Sequence, residues 1–452
     1  MRKLTKMMLG LAVLCMFASC GEANEGTEQN VTPTEAVQSE VTPEAAVTPE
    51  PTVTPVPTIS PEELYWQEVL AEFSDSKYDL TAALTGDGLK DLCAGYFKLG
   101  VGLTGSSYQN LAIHSEEYMA VSKKHFNSVT LTNLMKPSYI LDQRASQQNS
   151  ANGSQEPVLE FMLIEETLQW CLDNDVQMRG HTIVWHAQTP DWFFREGYES
   201  DGEYVDRNTM LARLDSYTKQ IMTYCQENYP GVVYCWDVVN EAVDPTYGDP
   251  DSAFRCRMEN DGKPNMWYHI IGEDYVEQAF RIARKYAAEG VSLFYNDYNT
   301  YDAKKSEYIY QLCKSLAEQG LIDGIGMQAY WGLTNPTVAV LEARMKRFAE
   351  LGLEIQITEL SVSPEDLSEE NLERQAKRYA SLFYMLSTLD TQGGGSVNIT
   401  GVTLFGLMDG YVFYGNSDTS TARLFDTNFQ PKPAFDSVKE MLEIAYKNRT
   451  VE

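Results

Sequence analysis

Basic residues are scarce in this chain. Its 452 residues carry 35 Lys and Arg against 65 Asp and Glu, a net charge of −30. That balance lacks the clustered cations that a nucleic acid or an anionic membrane surface requires, so a neutral or cationic ligand is expected instead. No Gly-x-Ser-x-Gly elbow occurs, and no group of His, Cys and Asp has metal-ligand spacing, which argues against serine-nucleophile and metal-dependent hydrolysis. No cofactor is implied. The eight cysteines follow no zinc pattern. Six of them (Cys93, Cys171, Cys225, Cys235, Cys256 and Cys313) lie in apolar contexts and are expected as buried free thiols, with a Cys225–Cys235 bridge left open.

What is present begins with a segment that does not belong to the fold. Arg2, Lys3 and Lys6 precede an apolar run, Met7 to Phe17, too short to span a bilayer stably, followed by "FASC" and Gly21. Small residues before a cysteine resemble a bacterial lipoprotein signal, so residues 1–19 are expected to be removed and Cys20 to be lipidated. Residues 20–61 repeat Val-Thr-Pro with scattered Glu, a composition with too little apolar surface to offset ordering entropy. At about 3.1 Å per residue, such a linker reaches on the order of 120 Å, enough to lift a domain off a membrane and through a wall. The expected location is extracellular, at the cell surface, with the lipid anchor as the sole membrane contact. The protein is expected to be a monomer.

Residues 62–452 have the apolar content for one large core, at 43% hydrophobic overall. Short apolar runs alternate with longer amphipathic ones. The short runs are Tyr96–Val101, Phe126–Leu131, Val176–Trp185, Val232–Asn240, Val291–Asn296, Gly324–Gln328, Leu353–Glu359 and Gly401–Leu407. Stretches such as "DYVEQAFRIARKYAAEG" and "TVAVLEARMKRFAELG" between them read as helices that end near a capping glycine. Eight βα units predict an α/β fold, a (β/α)8 TIM barrel; an open doubly wound sheet would call for a glycine-rich phosphate turn after its first strand, and none is present.

Barrel enzymes build their sites at the C-terminal ends of the strands. There the chain places Asn133 and Lys136 (second strand), His181, Trp185 and His186 (third), Asn240 and Glu241 (fourth), Asn296 and Asp297 (fifth), Gln328 (sixth), Glu359 (seventh), and Phe405, Asp409 and Phe413 (eighth). A lone glutamate at a strand end is most simply a salt bridge or a helix cap. Two on opposite staves, ringed by amides, histidine and indole, suit glycosidic bond cleavage, which needs one acid for the departing oxygen and one carboxylate for the oxocarbenium-like centre.

Together these motifs resemble glycoside hydrolase family 10, the retaining endo-1,4-β-xylanases. "FNSVTLTNLMKP", "RGHTIVWHAQTPDWF", "WDVVNEAV", "EDYVEQAFRIAR", "NDYN", "GIGMQ" and "ITEL" carry the likeness, from about Leu92 to Met441. It implies Glu241 as acid/base, Asn240 beside it on the sugar 2-hydroxyl, and Glu359 as nucleophile. It also implies sugar contacts from Asn133, Lys136, His181, Trp185 and Gln328, on a xylan-like polysaccharide hydrolysed at internal bonds. In a retaining pair the carboxyl groups stand about 5–5.5 Å apart.

The chain departs from that family's pattern at five places. Thr132 stands where a glutamate usually precedes the Asn of the second strand, Tyr330 where a histidine follows the Gln of the sixth, and Ser361 where an aspartate follows the nucleophile. Phe405 and Phe413 stand where tryptophans are usual. The Tyr330 and Ser361 changes are linked, because the family's His and Asp bond each other and the nucleophile. Tyr330 is expected to donate to Glu359 instead, Phe405 and Tyr330 to line the glycone side, and Trp331 to supply an indole from another direction. The segment "SYILDQRASQQNSANGSQEP" is expected as a longer loop near that side. Two competing readings are the same chemistry on another β-glycan or short oligosaccharide, and a surface glycan binder with decayed catalysis.

Overall fold

The computed structural model describes residues 59–410 and 421–449. The signal segment, Cys20, nearly all of the linker and Phe413 lie outside the described residues. Ser60 caps the first helix, Pro61–Glu72, by accepting the Glu63 N–H at 3.1 Å, with proline at the first helical position where a missing N–H costs nothing.

Eight strands follow: Lys98–Leu103 (β1), Ser128–Leu131 (β2), Gln177–Trp185 (β3), Val233–Asn240 (β4), Ser292–Asp297 (β5), Gly324–Met327 (β6), Glu354–Val362 (β7) and Ile399–Leu404 (β8). Each runs parallel to its chain neighbour, and β8 pairs with both β7 and β1, which closes the sheet. The (β/α)8 barrel expected from the sequence is therefore the fold. The helices around it bury one stripe. In Tyr275–Tyr286 the residues Val276, Ala279, Phe280 and Ala283 face inward at helical spacing, while Arg281 turns outward to Glu277. The helix Val338–Ala349 is followed by Gly352, whose φ of 70° turns the chain into β7.

Three local expectations need correction. β8 stops at Leu404, before Phe405, because Gly406 takes a φ of 128° that no strand continues through. β7 runs past Glu359 to Val362, because Tyr330 and Trp331 form a short strand beside it, pairing Tyr330 with Ser361 and Trp331 with Val362. The segment after Lys136 is ordered rather than looped. Asp142 caps the helix Gln143–Ala151, and Gln143 and Gln147 dock it by donating to the Tyr198 carbonyl at 3.0 and 3.3 Å.

Inside the barrel a charged cluster is fully satisfied. Arg179 forks onto Asp237 at 3.0 and 2.6 Å and donates from Nε to Gln356 at 2.8 Å. A buried pair of this kind is poor evidence for stability, since desolvation consumes most of its attraction. Its value here is geometric: Asp237 also fixes His181. All six cysteines expected as thiols are buried and unpaired.

Candidate active site

Glu241 is the first residue beyond β4 and takes a left-handed backbone with φ of 59°. A non-glycine residue pays strain for that conformation, and the surroundings hold it there. Its N–H donates to the Asn296 carbonyl at 2.9 Å, and its carbonyl accepts Arg257 Nε at 3.0 Å. The side chain is thereby aimed across the mouth. Oε2 accepts the Trp185 indole N–H at 3.0 Å; Oε1 accepts Gln328 Nε2 at 2.9 Å and Asn240 Nδ2 at 3.1 Å.

Glu359 stands on β7, only 5% exposed. Oε2 accepts the Tyr330 hydroxyl at 2.6 Å, and Oε1 accepts Asn296 Nδ2 at 3.1 Å. Asn296 joins the two carboxylates. Its amide also donates to Asn240 Oδ1 at 2.9 Å, where Gln328 Nε2 donates as well at 3.2 Å, while its own Oδ1 accepts Thr358 Oγ1 at 2.7 Å. The bonding thus fixes which end of each amide points where, and β4, β5, β6 and β7 meet in one network.

The Glu241 carboxyl is held above its usual range by burial first, then by the negative charge of Asp297, and to a smaller extent by that of Glu359; the bonds from Gln328 and Trp185 act the other way. Asp297 was legible at a strand end, but its rank above Glu359 depends on tertiary placement. It is itself anchored, with Oδ1 accepting Lys305 Nζ at 2.6 Å and Oδ2 accepting Tyr295 Oη at 2.5 Å. Tyr330 is pushed well above the usual phenol range by burial, then by the charge of Glu359, so it stays protonated and donates.

A second cluster flanks the carboxylates at β2 and β3. Lys136 Nζ donates to Asn133 Oδ1 at 3.2 Å and to Gln188 Oε1 at 2.9 Å, and sits 4.7 Å from the centre of the Trp185 ring. Burial pushes its pKa down to about 8, while the charges of Glu359 and Glu241 pull it up. His181 Nδ1 lies 2.8 Å from Asp237 Oδ2. Burial disfavours a charged Asp237, yet Arg179 and His181 hold its carboxyl below the usual range, so Asp237 accepts the Nδ1 proton and fixes the ring. Trp185 is backed from the β4–β5 excursion, where Trp267 Nε1 donates to its carbonyl at 3.2 Å.

The structure thus brings together Glu241, Glu359, Asn133, Lys136, His181, Trp185, Asn240, Gln328 and Tyr330. Phe405 does not face the open mouth: it is 2% exposed and meets the Tyr330 ring edge-on at 5.8 Å. Trp331 lies in the core at 3% exposed, because the pairing of the short strand with β7 turns it inward. Thr132 is buried and donates to the Leu103 carbonyl at 3.3 Å. His186 is partly buried and held neutral, its pKa pushed down to about 3 by desolvation and by Arg257 and Lys305. Asp409 is tied to Lys432 at 2.8 Å, an ion pair away from the carboxylates' own bonds. Sequence reasoning missed Gln188, Asp237 and Arg423. For Gln188 the signal was its place in the "WHAQ" run; Asp237 and Arg423 carried none.

Two depressions flank the site. One of about 610 Å³ lies beyond β3, with His186, Gln188, Tyr204, Lys263 and Asn265 in its wall. Another of about 500 Å³ lies beyond β4 and β5, lined by Tyr247, Tyr298, Tyr301 and Lys304 among others. Tyr298 is braced by Arg257 Nη2 on its hydroxyl at 2.8 Å and by Lys305 Nζ 3.4 Å from its ring centre.

Comparison with known proteins agrees with this geometry. Residues 88–441 match the model for glycosyl hydrolase family 10. A putative endo-1,4-beta-xylanase of Caldicellulosiruptor saccharolyticus is 45% identical over 312 residues, 67% of this chain and 95% of the relative. Endo-1,4-beta-xylanase B of Butyrivibrio fibrisolvens is 38% identical over 353 residues, 77% of this chain but 52% of the relative. Among solved structures, the CBM22-1–GH10 modules of the Clostridium thermocellum xylanase 10B, complexed with xylohexaose, superpose with a TM-score of 0.68 at 31% identity, covering 79% of this chain and 67% of that one. The chain belongs to glycosyl hydrolase family 10.

Proposed function

We propose that this protein is a retaining endo-1,4-β-xylanase that hydrolyses internal bonds of xylan by double displacement. The observation that carries the reading is the pair of carboxylates on opposite staves with different surroundings: Glu241 pushed above the usual carboxyl range by burial and Asp297, and Glu359 accepting hydrogen bonds from Tyr330 and Asn296. In the first step a Glu359 oxygen bonds to the anomeric carbon as the glycosidic bond breaks, and Glu241 gives its proton to the departing oxygen. In the second, water bonds to the same carbon, Glu241 takes its proton, and the bond to Glu359 breaks with its electron pair returning to the carboxylate. Asn133, Lys136, His181, Asn240 and Gln328 hold sugar hydroxyls, and Trp185 and Tyr330 border the reacting sugar. Phe405 acts by bracing Tyr330. The named activities of the relatives support xylan as substrate.

The loss of the Glu359 charge during the first step lets Glu241 ionise and act as base. Because burial and Asp297 outrank Glu359, only part of the upward pressure on Glu241 is relieved. The enzyme is further read as exported, lipidated at Cys20 and carried on residues 20–61 as a stalk, a reading supported by the basic start, the short apolar run and the Val-Thr-Pro repeats.

Reducing-end release from a panel of xylans and other β-glycans tests the substrate, with proton NMR following the first-formed anomer. Product from xylan with the β anomer appearing first is expected, and Glu359→Ala should abolish it. Release from another glycan alone, or undiminished release by Glu359→Ala, would refute the reading. Incorporation of labelled fatty acid into a Cys20→Ser protein would refute the anchor.

A further inference from the structure

Among the described residues, Arg423 is a buried cation with no ion-pair partner. Its side chain is 3% exposed, and among the described residues no carboxylate lies within ion-pair distance of it. Nη1 donates to Ser361 Oγ at 2.7 Å, and no described acceptor takes Nε or Nη2. The nearest acid in its surroundings, Asp409, is spent elsewhere: Oδ1 accepts the Arg423 backbone N–H at 3.0 Å, and Oδ2 is paired with Lys432 at 2.8 Å. The fold makes room for this guanidinium. At Gly406, whose φ is 128°, a Cβ would come within 2.5 Å of Arg423 Nε. Burying a charge without an ion-pair partner is costly, so one kept in place calls for a use.

The site around it supplies one. Ser361, which holds Arg423, pairs in register with Tyr330; the Arg423 charge acts on the Tyr330 phenol, and that phenol donates to Glu359. The groups facing Arg423 are Tyr330 and Ser361 from the β6 and β7 side, Tyr118 and Tyr379 from flanking helices, and Asp409. Those facing Glu359 are Tyr330, Asn296, Glu241 and Lys136. All but Asp409 and the two glutamates are neutral or cationic.

The geometry points to Arg423 as a positioning residue for the nucleophile, fixing Ser361 and Tyr330 and supplying the positive charge toward which the Glu359 carboxylate departs when water releases the sugar. This rests on the reading of Glu359 as nucleophile. A cation there has opposite effects on the two steps: it makes the ionised carboxylate a weaker attacker and a better leaving group. Deglycosylation is therefore the step it serves.

The test uses an activated 2-deoxy-2-fluoro xylobioside, which traps the glycosyl-enzyme, on the intact protein, Arg423→Met and Ser361→Asp. Ser361→Asp keeps the arginine and its packing but places a carboxylate against it, so it reports on charge even where Arg423→Met fails to fold. Peptide mass mapping should put the label on Glu359 in every folded variant. Release of the label should slow roughly tenfold in both variants, and kcat on an aryl xylobioside should fall more than kcat/KM, since deglycosylation is the step that has lost its support. Unchanged release in Ser361→Asp, with no loss in kcat beyond that in kcat/KM, overturns the role of Arg423 while leaving the nucleophile intact. A label on a different residue overturns the nucleophile itself, and this inference with it.

Discussion

Tyr330→Phe removes one oxygen from the site and little else. The ring stays, and with it the edge contact to Phe405 at 5.8 Å. What is lost is the 2.6 Å hydrogen bond to Glu359 Oε2, one of two such donors on that carboxylate. A hydrogen bond to a charged group contributes about 1.5–3 kcal/mol, which is roughly ten- to a hundredfold in rate where it is expressed wholly in a transition state. The charge on Glu359 falls as it attacks and rises as it leaves, so the bond strengthens only in the second step. With an aryl xylobioside bearing a good leaving group, kcat should therefore fall by about ten- to a hundredfold, KM should fall with it, and a pre-steady-state burst should appear as the intermediate accumulates. The kcat/KM at the pH optimum, which reports the first step, should change far less. Equal losses in kcat and kcat/KM without a burst would refute the reasoning, since they would mean that the phenol serves the attack or merely the packing.

Two further outcomes follow from the same geometry. Asp297→Asn removes the largest charge acting on Glu241 and leaves Lys305 unopposed beside it, so Glu241 should ionise at lower pH. Because Glu241 must be protonated to start the reaction, the alkaline limb of kcat/KM should move to lower pH; an unmoved limb would return the leading role to Glu359. Gly406→Ala should cost about 2–4 kcal/mol in chemical denaturation, from its φ of 128° and the 2.5 Å approach to Arg423 Nε, and a loss under about 0.5 kcal/mol would show that the guanidinium is free to move.

The barrel was legible because each stave is short, apolar and separated by an amphipathic helix, and those patterns are local. All eight strands fell within a few residues of their expected places, with the largest errors where backbone pairing overrode side-chain pattern. At β8 the run "GVTLFGL" looks continuous, but Gly406 breaks it. At β7 the strand continues through Ser361 only because Tyr330 lies alongside. The segment after Lys136 looked like a loop since its polar residues give no apolar stripe; it is held as a helix by an Asp142 cap and by side-chain bonds to the Tyr198 carbonyl.

The placement of the two carboxylates and of most of their amide and indole neighbours was likewise readable, since a strand end in a barrel can point only to the mouth. That rule fails one residue past the strand, where Phe405 turns under Tyr330 and Trp331 turns into the core.

By itself the sequence determined the architecture, the two carboxylates and the fact that Tyr330 and Ser361 had changed together. Tertiary structure alone decided how the change is completed. Ser361 and Arg423 are 62 residues apart in the chain, and Asp237 is 58 from Arg179. No periodicity or spacing links such pairs, because their contact depends on closure of the barrel. The charge seen by each acid was decided there too, since desolvation and the order of Asp297 before Glu359 are properties of distance in the folded chain rather than of position along it.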